Sequence, residues 1–303
     1  AKHGSDWFYY GGVSGSGADR AWRSDAELAK PRYTSTYYGV RNILGLLTET
    51  YSYASFKTRI QETYWFLEES LGFVSKNGPK IRDIVATANS ESLVGQQFAV
   101  RQQLVKHPEL QKIVFAPTAS TRNPYVADRP YRLKTDGPVT SEMLPFFGTA
   151  EPTETSIVPR VWVIPNSAST AASAPAAGGT PTQRMIAAVI DRLEAHGVTY
   201  TVTTRELPFT GERYKIATNV LADREYQGTH KARTLTGAWE ATQQTLPVGS
   251  VIIDMNQPLA RLTFILMDPR SDDGFMWWNI LDPVLGMSPT HYPVLRSMSA
   301  VTN

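Results

Sequence analysis

The first clear hydrophobic pattern in the chain is a short apolar run over residues 43–48, which ends at the charged residue Glu49. A continuous apolar run without alternation is typical of a β-strand that is covered on both faces, as in the sheet of an α/β protein. The pattern therefore predicts a buried strand over residues 43–48, with Glu49 just beyond its carboxyl end.

An amphipathic helix is predicted after this run. Ser55 is a suitable N-cap, because its hydroxyl can accept a hydrogen bond from a free N–H of the first turn. Gly78-Pro79 predicts the end of the helix, and residues 80–88 are expected to form a second, short one. Apolar side chains recur every three or four residues and give the first helix one apolar face: Phe56, Ile60, Tyr64, Leu67, Leu71 and Val74.

Beyond about residue 92 the pattern changes to short strands separated by proline-rich turns. A strongly amphipathic helix is predicted, and His196-Gly197 predicts its end because glycine readily adopts the left-handed conformation found there. Its apolar face contains Met185, Ile186, Val189, Ile190 and Leu193. Another helix is expected over residues 259–267, with Pro258 in its first turn. The predicted strands lie at 97–105, 111–115, 160–164, 200–204 and 250–254.

Composition and charge narrow the class of protein. The chain has 303 residues, of which 42% are hydrophobic, and this is enough for two domains with ordinary buried cores. Its formal charge is +2 and no block of lysine and arginine stands out, which argues against a nucleic-acid partner. No apolar run approaches the ~18 residues of a membrane span. The absence of cysteine excludes disulfides, thiolate catalysis and cysteine-ligated zinc.

Glu49 is the sharpest candidate for chemistry. The carboxyl ends of the strands form the edge at which open α/β sheets bind ligands. A carboxylate at that edge could act as a general base toward a water molecule. From the pattern alone, a glutamate after a strand is more often a helix N-terminal or surface residue, so this alternative stays open.

The five histidines do not form a recognisable metal motif. His3, His107, His196, His230 and His291 are far apart, and none begins an H-x-x-E sequence or has the i, i+4 spacing of a helical zinc site. The end of a helix explains His196, and terminal or loop positions explain the others. The sequence therefore predicts no metal ligand in this chain.

One segment resembles a known family. Residues 37–53 (YYGVRNILGLLTETYSY) are similar to the segment around the catalytic glutamate in bacterial zinc carboxypeptidases, and the helix with Phe56 and Arg59 follows as it does there. Shorter similarities to these proteins, including the C-terminal region of the large members, fall in family order along the chain: residues 2–4, 8–11, 257–260, 268–274 and 278–279.

The resemblance implies an α/β/α peptidase fold, in which zinc polarises a scissile carbonyl of a peptide substrate and a glutamate takes a proton from water. Glu49 is the position that matches this glutamate. The resemblance also suggests that Tyr37 or Tyr38 lies over the end of the substrate and that Arg41 binds a carboxylate. A structural salt bridge is the alternative for Arg41. The resemblance further suggests that the protein is secreted or periplasmic.

One part of the family pattern is missing. In the family, the zinc ligands and the arginines that hold the substrate's terminal carboxylate precede the glutamate segment, and nothing before Tyr37 matches them. Two interpretations of the chain follow. It is either part of a longer zinc peptidase, completed by a missing N-terminal segment or chain, or a catalytically silent module that binds peptide or cell-wall material. Residues 1–92 are predicted to form the later part of a carboxypeptidase-like α/β/α domain, and residues 93–303 a mixed, strand-rich accessory region.

Overall fold

A computed structural model shows a mixed α/β protein, as predicted, and describes residues 2–4, 7–25, 29–126, 128–166 and 179–301. The chain divides into two compact units. The first unit comprises residues 1–29, 45–84 and 103–151, and the second comprises residues 30–44, 85–102 and 152–303. The α/β/α arrangement of a carboxypeptidase and a domain boundary at residue 92 stay predictions.

Five α-helices and fourteen strands lie within these described ranges. The helices are α1 (Thr34–Val40), α2 (Phe56–Ser90), α3 (Pro181–His196), α4 (Ala260–Met267) and α5 (Asp282–Leu285). The strands are β1 (Gly12–Ser14), β2 (Ala21–Arg23), β3 (Gln97–Lys106), β4 (Gln111–Phe115), β5 (Thr118–Thr121), β6 (Tyr131–Lys134), β7 (Thr140–Leu144), β8 (Phe146–Ile157), β9 (Val161–Ile164), β10 (Thr201–Val202), β11 (Leu207–Leu221), β12 (Arg233–Leu246), β13 (Val251–Asp254) and β14 (His291–Ser297).

A six-stranded antiparallel sheet forms the centre of the second unit, with strand order β10-β13-β9-β14-β11-β12. In β9, Trp162 and Ile164 belong to one apolar cluster, whereas Val161 and Val163 belong to another. This division follows from the strand geometry, because successive side chains point to opposite faces of a sheet. All four side chains are fully buried, so the strand predicted at 160–164 is covered on both faces.

Helix α3 ends where the sequence predicts, and it begins at Pro181. Thr180 and Gln183 form a capping box, in which each side chain accepts a hydrogen bond from the backbone N–H of the other residue. Gly197 follows the last turn with a φ of 77°, a left-handed conformation that glycine adopts without steric cost. The buried face contains Met185, Ile186, Val189 and Leu193.

The first unit has a much smaller core. Its strands include β1, β2 and two hairpin-like pairs, β4 with β7 and β5 with β6. Among its described residues, the buried apolar side chains are only Ala21, Ile113, Leu144 and Phe146. Because burial of apolar surface is the main favourable term in folding, the described part of this unit gains little stability from a core of its own.

The predicted strand over residues 43–48 is wrong. These residues form an irregular segment, and Leu44, Leu46 and Leu47 are between 52% and 77% exposed. A strand is stabilised by hydrogen bonds to a neighbouring strand, and no strand within the described ranges pairs with this segment. An apolar run indicates a tendency toward burial, but it does not determine whether a neighbouring strand pairs with it.

The predicted break at Gly78-Pro79 is also wrong, since α2 continues without interruption from Phe56 to Ser90. A proline disfavours helix at the preceding residue mainly through a clash with that residue's Cβ and N–H, and Gly78 has no Cβ. No side chain of α2 is buried. The six apolar residues of the predicted stripe are therefore exposed in the described structure. Despite the length of α2, no helix within the described ranges is long and apolar enough to cross a membrane.

Two smaller predictions need correction. The strand expected at 200–204 is limited to Thr201–Val202, because Thr203 donates its N–H and hydroxyl to the carbonyls of Ser250 and Pro247 in the turn before β13. Helix α4 begins at Ala260, with Leu259 at its N-cap, so Pro258 lies in the turn before the helix instead of in its first turn. The helix itself is confirmed.

Two buried tyrosines of the second unit differ in whether their hydroxyl groups have a hydrogen-bond partner. The Tyr292 hydroxyl donates to the Met267 carbonyl at 3.0 Å. The Tyr214 hydroxyl is also buried, but it has no hydrogen-bond partner among the described residues. Burial raises the pKa of Tyr214 to about 12.

Replacing Tyr214 with phenylalanine is expected to raise the free energy of unfolding by about 1 kcal/mol, because it removes an unsatisfied buried hydroxyl. Tyr292→Phe should lower that free energy by about 1 kcal/mol, since it leaves the Met267 carbonyl unpaired. The wild type should also lose stability as the pH rises from 10 toward 12, and Tyr214→Phe should weaken this loss. Urea denaturation of the wild type and the two variants measures these differences in the free energy of unfolding. Equal destabilisation by both variants would contradict the assignment of the Tyr214 hydroxyl as unsatisfied.

Candidate functional site

A cleft of about 770 Å³ opens in the first unit. Three segments of the chain line it, at residues 7–14, 22–25 and 49–52, and helix α2 adds Glu62. Glu49, the candidate base predicted from the sequence, is therefore part of a concave surface of the size that binds small ligands.

Five of the residues that line the cleft are aromatic, and they are here named the aromatic wall: Trp7, Phe8, Tyr9, Tyr10 and Trp22. Phe8 meets Trp22 edge-on, with ring centres 5.3 Å apart and planes at 85°. Such edge-to-face pairs are a favoured aromatic geometry. Residues 7–10 remain between 46% and 66% exposed, so the wall presents ring surface to a ligand.

Gly11 allows the chain to turn closely behind the aromatic wall. Its φ is 152°, and a Cβ at this position would lie 2.4 Å from the Arg23 carbonyl oxygen and 2.8 Å from Trp22 Nε1. Only glycine has space for this approach of β1 to β2. Gly11 therefore lets the chain that follows Tyr10 lie close to β2.

Glu49 lies in an irregular segment and its side chain is exposed. Within the described part of the chain, its carboxylate has no hydrogen bond or ion pair. The side chain is therefore available to water and to a ligand in the cleft. Its position differs from the prediction, because no buried strand precedes it, but its location at a concave surface agrees with a role as a general base.

Tyr51 lies beside Glu49 in the lining of the cleft. Partial burial raises the pKa of the Tyr51 phenol, and the neighbouring Tyr53 raises it further. The two rings meet edge-on at 5.3 Å. Tyr51 therefore stays protonated at neutral pH, and it can donate a hydrogen bond to a ligand.

Tyr37, Tyr38 and Arg41 lie on or just after α1 and belong to the second unit, whereas Glu49 belongs to the first. Arg41 Nη1 donates to the His196 carbonyl at 2.5 Å and to the Tyr37 hydroxyl at 3.2 Å. A basic side chain that binds the last carbonyls of a helix stabilises its carboxyl end. The contacts of Arg41 are thus structural, although they involve a carbonyl and a phenol instead of the carboxylate of a salt bridge.

The two tyrosines differ in their availability. The Tyr37 hydroxyl is engaged with His196 Nδ1 at 2.8 Å, whereas Tyr38 is exposed and its hydroxyl has no hydrogen bond in the described ranges. Tyr38 is therefore the better candidate for a contact with a substrate. The substrate-binding roles of Tyr37, Tyr38 and Arg41 stay predictions.

The described residues contain no group of three or more His, Asp or Glu side chains that could hold a metal ion. The histidines have other partners. His3 stacks on Trp65 and lies 3.1 Å from Glu69, and His291 lies 3.1 Å from Glu240. The residues present in this part of the chain therefore do not fit the zinc that the resemblance implies.

No protein-family model, no curated protein and no solved structure matches the chain. The resemblance of residues 37–53 to zinc carboxypeptidases consequently stays a prediction. The function has to be inferred from the residues of the cleft and their geometry.

Sequence inspection did not single out Tyr51 or Glu62 as part of the site. A signal for Tyr51 was present, because it follows Glu49 by two positions, the spacing at which side chains share one side of an extended chain. Glu62 gave no such signal. It comes from α2, and only the folded chain brings that helix to the edge of the cleft.

Proposed function

We propose that the whole protein is a metallopeptidase that cleaves peptide bonds at the C-termini of its substrates, and that this chain supplies the general base, Glu49. The observation that carries the proposal is the exposed Glu49 carboxylate on the wall of the 770 Å³ cleft, free of hydrogen bonds and ion pairs within the described residues. A general base needs a carboxylate that water can reach. The resemblance of residues 37–53 supports the same role.

In this function, Glu49 takes a proton from the water that attacks the scissile carbonyl and returns it to the leaving amine. The aromatic wall offers apolar surface for a substrate side chain. Tyr51 offers a hydrogen-bond donor next to the base. The zinc implied by the resemblance would need ligands from outside the described residues. The small core of the first unit agrees with a domain that other residues of the whole protein complete.

A second function is favoured by the aromatic wall. Exposed ring faces in a cleft also suit stacking on sugar rings or on apolar peptide side chains, without any chemistry. In that case the protein is a catalytically silent module that binds peptide or cell-wall material, and Glu49 accepts a hydrogen bond from the ligand.

Hydrolysis by the whole protein separates the two functions. A blocked peptide with a free C-terminal carboxylate should lose its last residue, and a matched peptide with an amidated C-terminus should not. A zinc chelator should stop the release, as followed by mass spectrometry. Binding of the free peptide with no release, before and after addition of zinc, would establish the silent module instead.

The metal content of the 303-residue chain is a further expectation. A catalytic zinc site needs about three positioned protein ligands, and the described residues offer no such cluster. Elemental analysis after dialysis should therefore find far less than one zinc per chain. One tightly held zinc per chain would show that its ligands include residues outside the described ranges, or histidines that change their partners.

A further inference from the structure

A second cavity, of about 540 Å³, lies wholly within the second unit. Its volume falls within the roughly 300–1,000 Å³ of small-ligand pockets. Most of its wall is apolar, with Leu262, Phe275 and Trp278 among the lining residues. Four basic residues also line the cavity, and their charge decides which ligand it accepts: Arg32, Arg192, His196 and His230.

The two arginines bring no unpaired positive charge. Arg32 Nε lies 3.0 Å from Asp273 Oδ1, and both side chains are at most 5% exposed. The Arg32 guanidinium also lies 3.7 Å from the ring centre of Trp277. Arg192 Nη1 donates to Asp191 Oδ2 at 2.6 Å. Each guanidinium is therefore matched by a carboxylate.

The hydrogen bonds of His230 fix its tautomer. Thr229 donates its hydroxyl to the Tyr226 carbonyl at 2.7 Å, so its oxygen must accept from His230 Nδ1, which lies 2.9 Å away. The neutral ring then carries its proton on Nδ1 and a lone pair on Nε2. That Nε2 is buried and has no hydrogen-bond partner in the described ranges. In this tautomer Nε2 is an acceptor and offers no N–H donor.

The contacts of Tyr37 favour the opposite tautomer for His196. Arg41 donates to the Tyr37 oxygen, which also lies 2.8 Å from His196 Nδ1. Because this nitrogen is the acceptor at hand for the Tyr37 hydroxyl proton, we assign the proton of the ring to Nε2. Burial lowers the pKa of His196, and Arg41 and Arg192 lower it further, so the ring is neutral at pH 7. His196 thus offers a single N–H donor to the cavity that it lines.

We propose that this cavity binds an uncharged apolar side chain of a peptide together with its backbone carbonyl. The side chain packs against Leu262, Phe275 and Trp278, and the carbonyl oxygen accepts the Nε2–H of His196. A carboxylate is disfavoured, because no unpaired cation offsets its loss of water. The site uses no residue of the aromatic-walled cleft, so it does not depend on the proposed peptidase activity.

Titration of the 303-residue chain with three small probes tests the proposal, with the tryptophan indole N–H signals followed by NMR. N-acetyl-phenylalanine methylamide should shift the Trp278 signal in a saturable way. N-acetyl-phenylalanine, which carries a carboxylate, should bind several-fold more weakly, and N-acetyl-glycine methylamide should not saturate. Equal or tighter binding of the carboxylate, or no saturation by the neutral amide, would overturn the proposal.

His196→Asn removes the donor but keeps an oxygen that can accept from Tyr37. The variant should bind the neutral amide about three- to ten-fold more weakly, as expected for the loss of one hydrogen bond. His107→Asn, at a half-buried histidine of the first unit that does not line this cavity, is the matched control and should bind as the wild type does. Unchanged affinity of His196→Asn would refute the role of the donor.

The tautomer itself is measurable in the wild type, which avoids any effect of substitution on folding. Long-range ¹H–¹⁵N spectra of the imidazole rings should show the His196 proton on Nε2 and the His230 proton on Nδ1. The His196 Nε2 signal should shift on addition of the neutral amide. A proton on His196 Nδ1 would remove the donor and with it the proposal.

Discussion

Replacing Glu49 with glutamine in the whole protein is expected to lower the turnover of a peptide with a free C-terminus by about 10²–10⁴-fold, the usual contribution of a general base. Glutamine keeps the size of the side chain and most of its hydrogen bonding, but it cannot take a proton from water at neutral pH. The melting temperature should hardly change, because the Glu49 side chain makes no hydrogen bond or ion pair in the described structure. The zinc content of the whole protein should also persist, since Glu49 is proposed as a base and not as a ligand.

Glu68→Gln provides the control for this experiment. Glu68 is an exposed glutamate of α2 that does not line the cleft, so the variant makes the same chemical change away from the site. It should keep wild-type turnover. Near-normal turnover in a folded, zinc-loaded Glu49→Gln variant would end the catalytic assignment. A loss of activity in proportion to unfolded protein would give Glu49 a structural role.

Asp273→Asn is expected to destabilise the second unit by about 3–5 kcal/mol, the cost of removing one partner from a buried ion pair. Asp273 accepts hydrogen bonds from the Arg32 backbone N–H at 2.6 Å and from Trp278 Nε1 at 2.8 Å. Its other contact is the buried Arg32 guanidinium. Asparagine leaves that positive charge buried without a counter-charge. The free energy of unfolding, measured by urea denaturation, gives the size of the effect.

The matched control is Asp254→Asn, which removes one carboxylate from an exposed pair. Arg160 Nη2 lies 2.7 Å from Asp254 Oδ2, but these side chains are 33% and 49% exposed. Exposed pairs contribute about 0–1 kcal/mol, so the two variants should differ by several-fold in their effects. Similar losses of stability would show that the interior of the second unit does not penalise an uncompensated charge.

The elements of the second unit that the sequence predicted, such as β9, β13, α3 and α4, were predictable because local pattern and tertiary packing agree there. Its two longest strands, β11 and β12, were not predicted. The apolar run at β9 has a neighbour on each side and apolar clusters on both faces. Gly197 adopts the left-handed conformation that the sequence predicts. Where each local preference matches the global fold, periodicity alone locates the element.

Two of the failures have a cause in common. Residues 43–48 have the composition of a buried strand, and α2 has the periodicity of a helix with a buried face, yet neither apolar surface is buried among the described residues. Periodicity reports which side of an element is apolar, and it cannot report what covers that side. The prediction for Glu49 depended on the buried strand over residues 43–48, which the structure does not contain.

The second cavity was beyond prediction for a different reason. His196 and His230 are 34 positions apart in the sequence, and Arg32 and Trp278 come from opposite ends of the chain. Each residue has an ordinary explanation when it is considered alone. The tautomers of the two histidines depend on the hydrogen bonds of Tyr37 and Thr229. These hydrogen bonds are seen only in the folded structure, so the sequence does not show which N–H donors line the cavity.

The exposure of α2 has a consequence for backbone amide exchange. The helix has 35 residues, about 52 Å at 1.5 Å per residue, and it buries no side chain that would oppose local opening. Pro79 has no N–H, so the Ser75 carbonyl lacks the donor that another residue would supply. Amide protons around this point should exchange with solvent through local fluctuations, long before the whole protein unfolds. The amides of β9 and β13, with neighbours on both sides and buried side chains, should by contrast report the free energy of global unfolding.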